Sequence, residues 1–278
     1  MASFEDDILI LCKTYPSPSG KHIETSCVAG MNQSGNLIRL FPVPFRLIDG
    51  AQQFKKWQWI HARIDRAVGD RRPESHKLFV DTVRFDGTPL STARGWSARR
   101  DPLSKLRVHD DFGALDAERG AIGKTLGVVR PRRILGLEIS QTTKPDWTDE
   151  ERAKLAQSQR QGGLFDETDA KAITMLRKLP FEFHYRYECL VNGVAKEYRH
   201  KIVDWEAGAL FWNCKDRHHD AWEQPFRAKM ENQLPAADLM FLLGTIHRFP
   251  DQWLIVSLIY PPKLPPPTTP DQIPLFDL

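Results

Sequence analysis

Residues 181–203 read FEFHYRYECLVNGVAKEYRHKIV, and their pattern predicts the fold class of the second half of the chain. Apolar and polar side chains alternate from Phe181 to Cys189, as in a strand that buries one face. Asn192-Gly193 is a residue pair that two-residue hairpin turns favour, and residues 196–203 supply the return strand. We therefore expect an antiparallel hairpin in this part of the chain.

Helices and two further strands are expected after this hairpin. Asp204 is predicted to cap a helix that runs to Cys214, and another helix is expected over residues 220–232. Residues 238–244 and 252–260 are continuous apolar runs, which favour central strands that are buried on both faces. Residues 179–260 are therefore expected to form an α+β domain.

The first 140 residues are expected to form a β-rich, basic, barrel-like module. Its predicted strands cover residues 7–13, 25–31, 37–41, 57–68, 77–85 and 133–139. Residues 141–178 are polar, with a helix start at Thr148, and are expected to be a linker region. The predicted fold class is α+β, with a β-rich N-terminal module, an α+β C-terminal domain and a Pro-rich tail over residues 261–278.

Composition excludes several classes of protein. The chain has 278 residues, of which 41% are hydrophobic and 27% charged, so it is expected to fold rather than remain disordered. Its apolar runs are shorter than the roughly 18 residues that a membrane helix needs, so no membrane partner is expected. The acidic start is not expected to be a secretory signal. Four cysteines without a Cys-x-x-Cys pair predict free thiols and a cytoplasmic location, and no cofactor is predicted.

Charge is distributed unevenly along the chain. Residues 1–140 contain 22 Lys and Arg against 16 Asp and Glu, whereas residues 141–278 contain 17 against 20. The basic half is rich in arginine, whose planar guanidinium suits phosphates and base edges. This asymmetry predicts an anionic partner for the first half, and nucleic acid is the expected one.

Basic residues are interleaved with aromatic residues in the first half, a mixture that single-stranded or distorted nucleic acid requires. The predicted nucleic-acid-binding residues are Lys55, Lys56, Arg94, Trp96, Arg99, Arg100, Arg107, Arg130, Arg132 and Arg133. Of these, the stretch from Arg94 to Arg107 is favoured, because no apolar periodicity explains its tryptophan. In the alternative interpretation, Trp57 and Trp59 belong to the core and the arginines pair with nearby acids.

His200, Asp204 and Glu206 would share one face if the strand before them continued through residue 206. An imidazole and two carboxylates suit Mg²⁺ or Mn²⁺, so these three residues are the candidate catalytic group of a metal-dependent nuclease. If a helix begins after Asp204 instead, Asp204 is its N-cap and Glu206 a first-turn acid. No recognised nuclease motif accompanies the three residues.

The C-terminal tail contains Gln272-Ile273-Pro274-Leu275-Phe276, which resembles the peptide that binds bacterial sliding clamps. The resemblance implies that Gln272, Leu275 and Phe276 dock on such a clamp, although Pro274 departs from the usual pattern. In the alternative interpretation, Leu275 and Phe276 fold back onto the body of the protein. A second Gln-x-x-Leu-Phe starts at Gln161, which shows that such short patterns also arise by chance.

Several segments resemble an uncharacterised family of prokaryotic proteins over nearly the full length. They are residues 12–17, 39–46, 72–75, 204–206 and 241–245. The resemblance implies no activity. The leading hypothesis is a nucleic-acid-binding accessory protein of DNA repair, replication or anti-phage defence, recruited by a sliding clamp; whether it is an enzyme is left open. The alternatives are a metal-dependent nuclease and a non-enzymatic subunit of a larger protein complex.

Overall fold

The structure is a computed structural model that describes residues 3–15, 17–18, 24–43, 53–85, 87–143, 145–150, 177–247 and 249–264. A small closed barrel occupies the N-terminal part, and a larger sheet with helices follows it. This arrangement confirms the predicted α+β class and the barrel-like character of the first module.

Five strands close the barrel in the order β1-β5-β6-β4-β3, and a pairing between β3 and β1 completes the circle. Only the β4–β6 pair among these is parallel. The strands are β1 (Phe4–Lys13), β2 (Ser17–Pro18), β3 (Glu24–Asn32), β4 (Leu37–Val43), β5 (Trp59–Arg66) and β6 (Ser75–Leu78), with β2 pairing at the end of β3. A 3₁₀ turn at Val80–Thr82 follows β6, where the sequence had predicted a longer strand.

The second sheet has seven strands in the order β7-β8-β12-β13-β11-β10-β9. They are β7 (Val108–His109), β8 (Leu126–Val129), β9 (Arg133–Gln141), β10 (Phe181–Val191), β11 (Val194–Ile202), β12 (Met240–Thr245) and β13 (Trp253–Ile259). The predicted hairpin is present as β10 and β11. Its turn residues Asn192 and Gly193 have φ of 51° and 80°, which is the left-handed conformation that this type of turn requires.

Among the residues that the structure describes, four α-helices of five or more residues connect or cover these strands. They are α1 (Ala93–Ser104), α2 (Phe112–Ile122), α3 (Trp205–His218) and α4 (Glu223–Arg227), with α4 continuing as a π-helix over Ala228–Gln233 and a last turn at Leu234–Ala236. The Asp111 carboxylate caps α2 by accepting from the amides of Gly113 and Ala114.

The second sheet lies between the barrel and helices α2 to α4, whereas α1 packs on the barrel side of the sheet. In β12, Met240 and Leu242 pack against the barrel, whereas Phe241 and Leu243 pack in the core that contains α3 and α4. Both faces of β12 and β13 are therefore buried, which explains why their sequences are apolar throughout. Strand β1 of the barrel is likewise buried on both faces. Its alternate residues fill the barrel interior and the interface with the sheet.

Strands β8 and β9 belong to the second sheet, although they lie within the 140 residues expected to form the first module. Leu126 and Val128 of β8 form part of the interface with the barrel. Within the described ranges, no helix has the length and apolar character needed to cross a membrane.

Candidate functional site

A cleft opens where the outside of the barrel meets the second sheet. Its volume is about 580 Å³, within the range of about 300–1,000 Å³ that small-ligand sites occupy. The end of β1 and strands β3 and β4 line one side, and strands β10 to β13 line the other. Most of the wall is apolar, and its aromatic residues are Tyr15, Phe41, Trp147, Phe181 and Phe183.

Arg39 lines this cleft from β4, although only 1% of the residue is exposed. Its Nη1 donates to Thr125 Oγ1 at 2.9 Å and to Ser75 Oγ at 3.5 Å, and its Nη2 donates to the Thr125 carbonyl at 2.9 Å. Burial lowers the pKa of Arg39, but a guanidinium remains protonated in proteins. The cleft therefore contains a buried positive charge that is held by neutral oxygen atoms.

Glu74 supports this arrangement from behind Thr125. Its carboxylate accepts from the Thr125 hydroxyl at 2.7 Å and from the Thr125 amide at 2.8 Å. Because the Thr125 hydroxyl donates to Glu74, its oxygen is oriented to accept from Arg39. The charge of Arg39 is thus balanced in part through an intervening hydroxyl rather than by direct contact with a carboxylate.

Arg72 and Asp70 form a closed ion pair at another part of the cleft. Arg72 Nη2 lies 2.6 Å from Asp70 Oδ2, and Arg72 Nη1 donates to the Thr245 carbonyl at 2.7 Å. Burial alone would raise the pKa of Asp70, but hydrogen bonds and charge from Arg72 hold it well below its usual value. This pair fixes the end of β12 to the barrel.

The hydroxyl of Thr245 is buried beside that ion pair. The residue is 5% exposed, and its Oγ1 has no hydrogen-bond partner among the residues that the structure describes. An unpaired buried hydroxyl costs about 1–3 kcal/mol. A polar atom of this kind in the lining of a cleft is a candidate contact for a ligand.

Tyr15 forms an aromatic wall of the cleft and is held firmly. Its hydroxyl donates to the Arg177 carbonyl at 2.5 Å and accepts from Trp212 Nε1 at 3.1 Å. Its ring packs on Gly208 of α3 so closely that a Cβ at position 208 would lie 2.5 Å from the ring. The absence of a side chain at Gly208 therefore sets the position of this wall.

Cations outnumber acids in the lining of the cleft. The lining cations are Arg39, Arg72, Lys178 and Lys201, and the lining acid is Glu182, which accepts from Lys201 at 2.5 Å. Asp70 neutralises Arg72 from behind. Positive charge, aromatic walls and unused hydrogen-bonding capacity together suit a planar ligand that carries negative charge.

Lys56 and Asp204, both with buried side chains, form an ion cluster with the half-exposed Glu206 at another part of the interface between barrel and sheet. Lys56 Nζ lies 2.7 Å from Glu206 Oε2 and 3.7 Å from Asp204 Oδ2, and it donates to the Leu258 carbonyl at 3.1 Å. Burial alone lowers the pKa of Lys56, but the two carboxylates raise it above its usual value. With a side chain that is 8% exposed, Lys56 is placed to join the two sheets rather than to meet nucleic acid.

Asp204 also caps α3, which is the alternative that the sequence left open. Its carboxylate accepts from the amides of Glu206 at 2.8 Å and Leu258 at 2.7 Å. Strand β11 ends at Ile202, so the two-residue repeat of a strand does not continue to Glu206. The three predicted catalytic residues therefore do not form a common face.

His200 lies apart from that cluster, in an aromatic environment. Its Nδ1 is 3.0 Å from the Tyr187 hydroxyl, and its ring centroid is 4.5 Å from that of Phe112. Burial lowers the pKa of His200 to about 4, which keeps the imidazole neutral near pH 7. Across the described ranges, no three His, Cys, Asp or Glu residues are grouped closely enough to hold a metal ion.

Two predicted nucleic-acid-binding residues, Arg99 and Arg100, lie at a packed pair of tryptophans, and Lys55 and Arg94 each stand two positions before one of these tryptophans in the sequence. The Arg99 guanidinium lies 4.7 Å from the Trp57 ring and 4.6 Å from the Trp96 ring, and its Nε donates to the Leu90 carbonyl. Arg100 donates to the carbonyls of Gly95 and Pro262. We call Lys55, Arg94, Arg99 and Arg100 the cationic surface.

The backbone of this region is strained. Arg94, Gly95 and Trp96 are three consecutive residues in the left-handed conformation, and Trp57 has φ of 67°. Such conformations are unfavourable for side chains larger than glycine, and they cluster at functional sites. Trp96 itself is 8% exposed and packs on Trp57 and Tyr260, so it supports the surface instead of contacting a strand directly.

The remaining predicted basic residues lie elsewhere and are paired with acids. Arg107 Nη2 lies 2.6 Å from Glu118, and Arg130 Nε lies 2.9 Å from Asp238. Arg132 and Arg133 share Glu188, at 3.0 and 3.2 Å. These four arginines do not extend the cationic surface, because the strands and turns that carry them belong to the second sheet.

Sequence reasoning missed Arg39, Tyr15 and Thr245. One signal for Arg39 was available, because it is a lone cation in the apolar strand Leu37–Phe41, on the face opposite Ile38 and Leu40. The predicted clamp-binding residues Gln272, Leu275 and Phe276 lie outside the described residues.

Barrel, second sheet and intervening cleft define an α+β protein whose candidate ligand site lies between two structural units. Residues 109–278 match the family described as Domain of unknown function (DUF8757), which spans more than half of the chain, so the chain belongs to this family. Residues 4–105 match a second domain of unknown function, DUF8758. The boundary between the two matches lies just before β7. No curated protein matches the chain.

Proposed function

We propose that the protein is a nucleic-acid-binding accessory protein that holds a phosphate backbone on its cationic surface. The observation that carries the proposal is that the Arg99 guanidinium lies against both rings of the edge-to-face pair Trp57 and Trp96, while Lys55 and Arg94, each two positions before one of these tryptophans, are exposed. Neither Lys55 nor Arg94 has a carboxylate partner among the described residues. Cations without partners attract phosphates more strongly than cations already neutralised by an acid.

Burial and strain support the same interpretation. Contacts with the Trp57 and Trp96 rings and a hydrogen bond to the Leu90 carbonyl keep the guanidinium of Arg99 in one place, so less side-chain freedom is lost when an anion binds. The left-handed turn at Arg94–Trp96 sets the backbone from which Arg94 extends. A fixed group of cations is suited to a strand whose phosphates recur at regular intervals.

Binding of a labelled single-stranded oligonucleotide at increasing salt tests the proposal. Affinity is expected to fall steeply as salt rises, because each phosphate contact releases counterions. Arg94→Ala is expected to weaken binding and to reduce the slope of log affinity against log salt by about 1. Affinity that is independent of salt would refute the proposal.

Arg132→Ala is the matched control, because Arg132 is an exposed arginine already paired with Glu188. It removes the same charge from the protein as Arg94→Ala does, but at a different place. Binding is expected to change little in this variant. Equal losses in the two variants would show that net charge, and not the cationic surface, attracts the strand.

We further propose that the C-terminal tail recruits the protein to a sliding clamp through Gln272, Leu275 and Phe276. The sequence motif supports this, since an aliphatic and an aromatic anchor suit a shallow apolar pocket on a partner. A peptide of residues 265–278 is expected to bind purified bacterial clamp, and the same peptide with Phe276→Ala is expected to lose binding. Equal binding of both peptides would exclude this role.

A further inference from the structure

The cleft between barrel and sheet has a composition that the cationic surface lacks. It is concave and aromatic, whereas Lys55 and Arg94 of the cationic surface are exposed to solvent. A backbone-binding surface contacts phosphates and leaves the bases free to find other contacts. The cleft and the cationic surface are therefore suited to different parts of the same ligand.

We infer that the cleft takes a single unstacked nucleotide of a bound strand, with its base between the aromatic walls. This inference rests on the proposed function, because the cationic surface is what would deliver the strand. Bases stack on aromatic side chains with little regard to sequence, and the partly exposed Tyr15 and Phe41 supply such side chains here.

Two polar groups in the lining are suited to the edge of a base. The Arg39 guanidinium has five N–H donors. Ser75 and Thr125 accept three hydrogen bonds from it, so two donors remain for a ligand. The buried Thr245 Oγ1 has no partner among the described residues. An incoming base carries both donors and acceptors and would satisfy the groups that the protein leaves unpaired.

Charge in the cleft fits the phosphate of the same nucleotide. Lys178 and Lys201 line the cleft on the side of the second sheet. Lys201 is paired with Glu182 at 2.5 Å, whereas Arg39 has no carboxylate in direct contact among the described residues. A neutral planar ligand would gain nothing from this excess of cations, whereas a nucleotide places its base and its phosphate in one molecule.

A chain of contacts connects the two sites. Lys13 Nζ lies 5.6 Å from the Trp205 ring, and the Trp205 ring centroid lies 5.9 Å from that of Tyr15. Lys13 Nζ also donates to the carbonyl of Phe54, the residue before Lys55, at 3.4 Å. A strand that leaves the cationic surface near Lys55 would therefore pass Lys13 and Trp205 before it reaches the aromatic wall at Tyr15.

The test compares two single strands of equal length, one with bases and one with abasic sites throughout, in binding to the full chain. Both carry the same phosphates, so the ratio of their affinities isolates the contribution of the bases. We expect the strand with bases to bind about tenfold more tightly, in line with one stacked base. Arg94→Ala is expected to weaken both strands and to leave the ratio unchanged.

Two variants of the cleft are expected to change the ratio alone. Phe41→Ala removes an aromatic wall and is expected to bring the ratio close to one, with binding of the abasic strand retained. Thr245→Val removes only the unpaired hydroxyl, so it is expected to lower the ratio severalfold while the melting temperature stays constant or rises. A purely structural role for Thr245 would leave the ratio unchanged.

Each outcome has a distinct meaning. Equal binding of both strands by the native protein, or a tenfold ratio that survives Phe41→Ala and Thr245→Val, overturns the inference and leaves the cationic surface intact as a proposal. Failure of both strands to bind at low salt overturns the proposed function and the inference together. Tight binding of a free nucleoside monophosphate, with equal binding of the two strands, would identify the cleft as a site for free nucleotides.

Discussion

Two buried cations cross from the barrel to the second sheet, and their surroundings differ. Lys56 contacts two carboxylates directly, whereas Arg39 donates to a carbonyl and to two hydroxyls. A cation with directly bound acids is neutralised within the protein and serves the interface. The positive charge of a cation held by neutral oxygen atoms is not cancelled by a direct acid partner, so it can attract an anionic ligand. For this reason we place the candidate site at Arg39.

The largest expected effect on stability comes from removing Lys56, the cation that two carboxylates neutralise. Lys56→Met leaves the Asp204 carboxylate buried with its cation removed, and this is expected to lower the free energy of unfolding by about 3–5 kcal/mol near pH 8. Urea denaturation measures the loss. The loss should shrink at lower pH, because protonation of Asp204 removes the uncompensated charge.

A second substitution checks this explanation. Asp204→Asn in the Lys56→Met background removes the stranded charge while retaining an oxygen that can cap α3, so part of the stability is expected to return. If the double variant were no more stable than Lys56→Met, lost packing rather than an unpaired carboxylate would explain the effect.

His200 is a third buried basic group, and unlike Lys56 and Arg39 it is neutral in the folded protein near pH 7. Its folded pKa of about 4 lies below its ordinary value of 6.5, so between these pH values the unfolded chain binds a proton that the folded chain does not. This contribution to stability is complete above pH 6.5 and is lost as the pH falls towards 4. The loss is expected to reach up to about 3 kcal/mol.

Denaturation of the native protein and of His200→Gln across this pH range measures the effect. Glutamine retains an acceptor for the Tyr187 hydroxyl but does not titrate. The variant is expected to have a flatter dependence of unfolding free energy on pH between 6.5 and 4. Identical pH profiles for the two proteins would contradict the assignment.

Arg39→Met is expected to have a smaller effect on stability than Lys56→Met. It removes hydrogen bonds to Thr125 and Ser75 but strands no directly bound carboxylate, so the expected loss is about 1–3 kcal/mol. Urea denaturation compares the two variants. A loss for Arg39→Met as large as that for Lys56→Met would show that Glu74 balances Arg39 as closely as Asp204 and Glu206 balance Lys56.

The smallest expected effect is at an exposed ion pair on the outer part of the second sheet. Arg186 Nε lies 2.6 Å from Glu197 Oε1, and both side chains are about half exposed. Water screens such a pair, so the coupling energy from a double-mutant cycle with alanine is expected to be about 0.2–1 kcal/mol. A coupling above about 2 kcal/mol would remove the distinction between buried and exposed pairs.

The sequence determined most of the strands and the class of fold. Alternation in residues 181–189, the Asn192-Gly193 turn and the unbroken apolar runs of β12 and β13 are local or short-range signals, and the structure confirms each of them. Strands β7 and β8 were missed, because two- and four-residue strands carry too little periodicity to be recognised.

The sequence around Asp204 is compatible with two local structures, a continued strand or the start of a helix. A continued strand would have aligned His200, Asp204 and Glu206, whereas a helix start separates them. Packing decided the matter. The Asp204 carboxylate meets Lys56, which is distant in sequence, and the Leu258 amide on β13.

Length, charge asymmetry, hairpin and turn positions are properties of neighbouring residues, so the sequence by itself determined them. Only the tertiary structure decided which cations are neutralised, because an ion pair between residues about 150 positions apart leaves no mark on either local sequence. The same holds for the cleft. Its walls come from the end of β1 and from strands β3, β4 and β10 to β13, and they face each other only after the barrel has packed on the sheet.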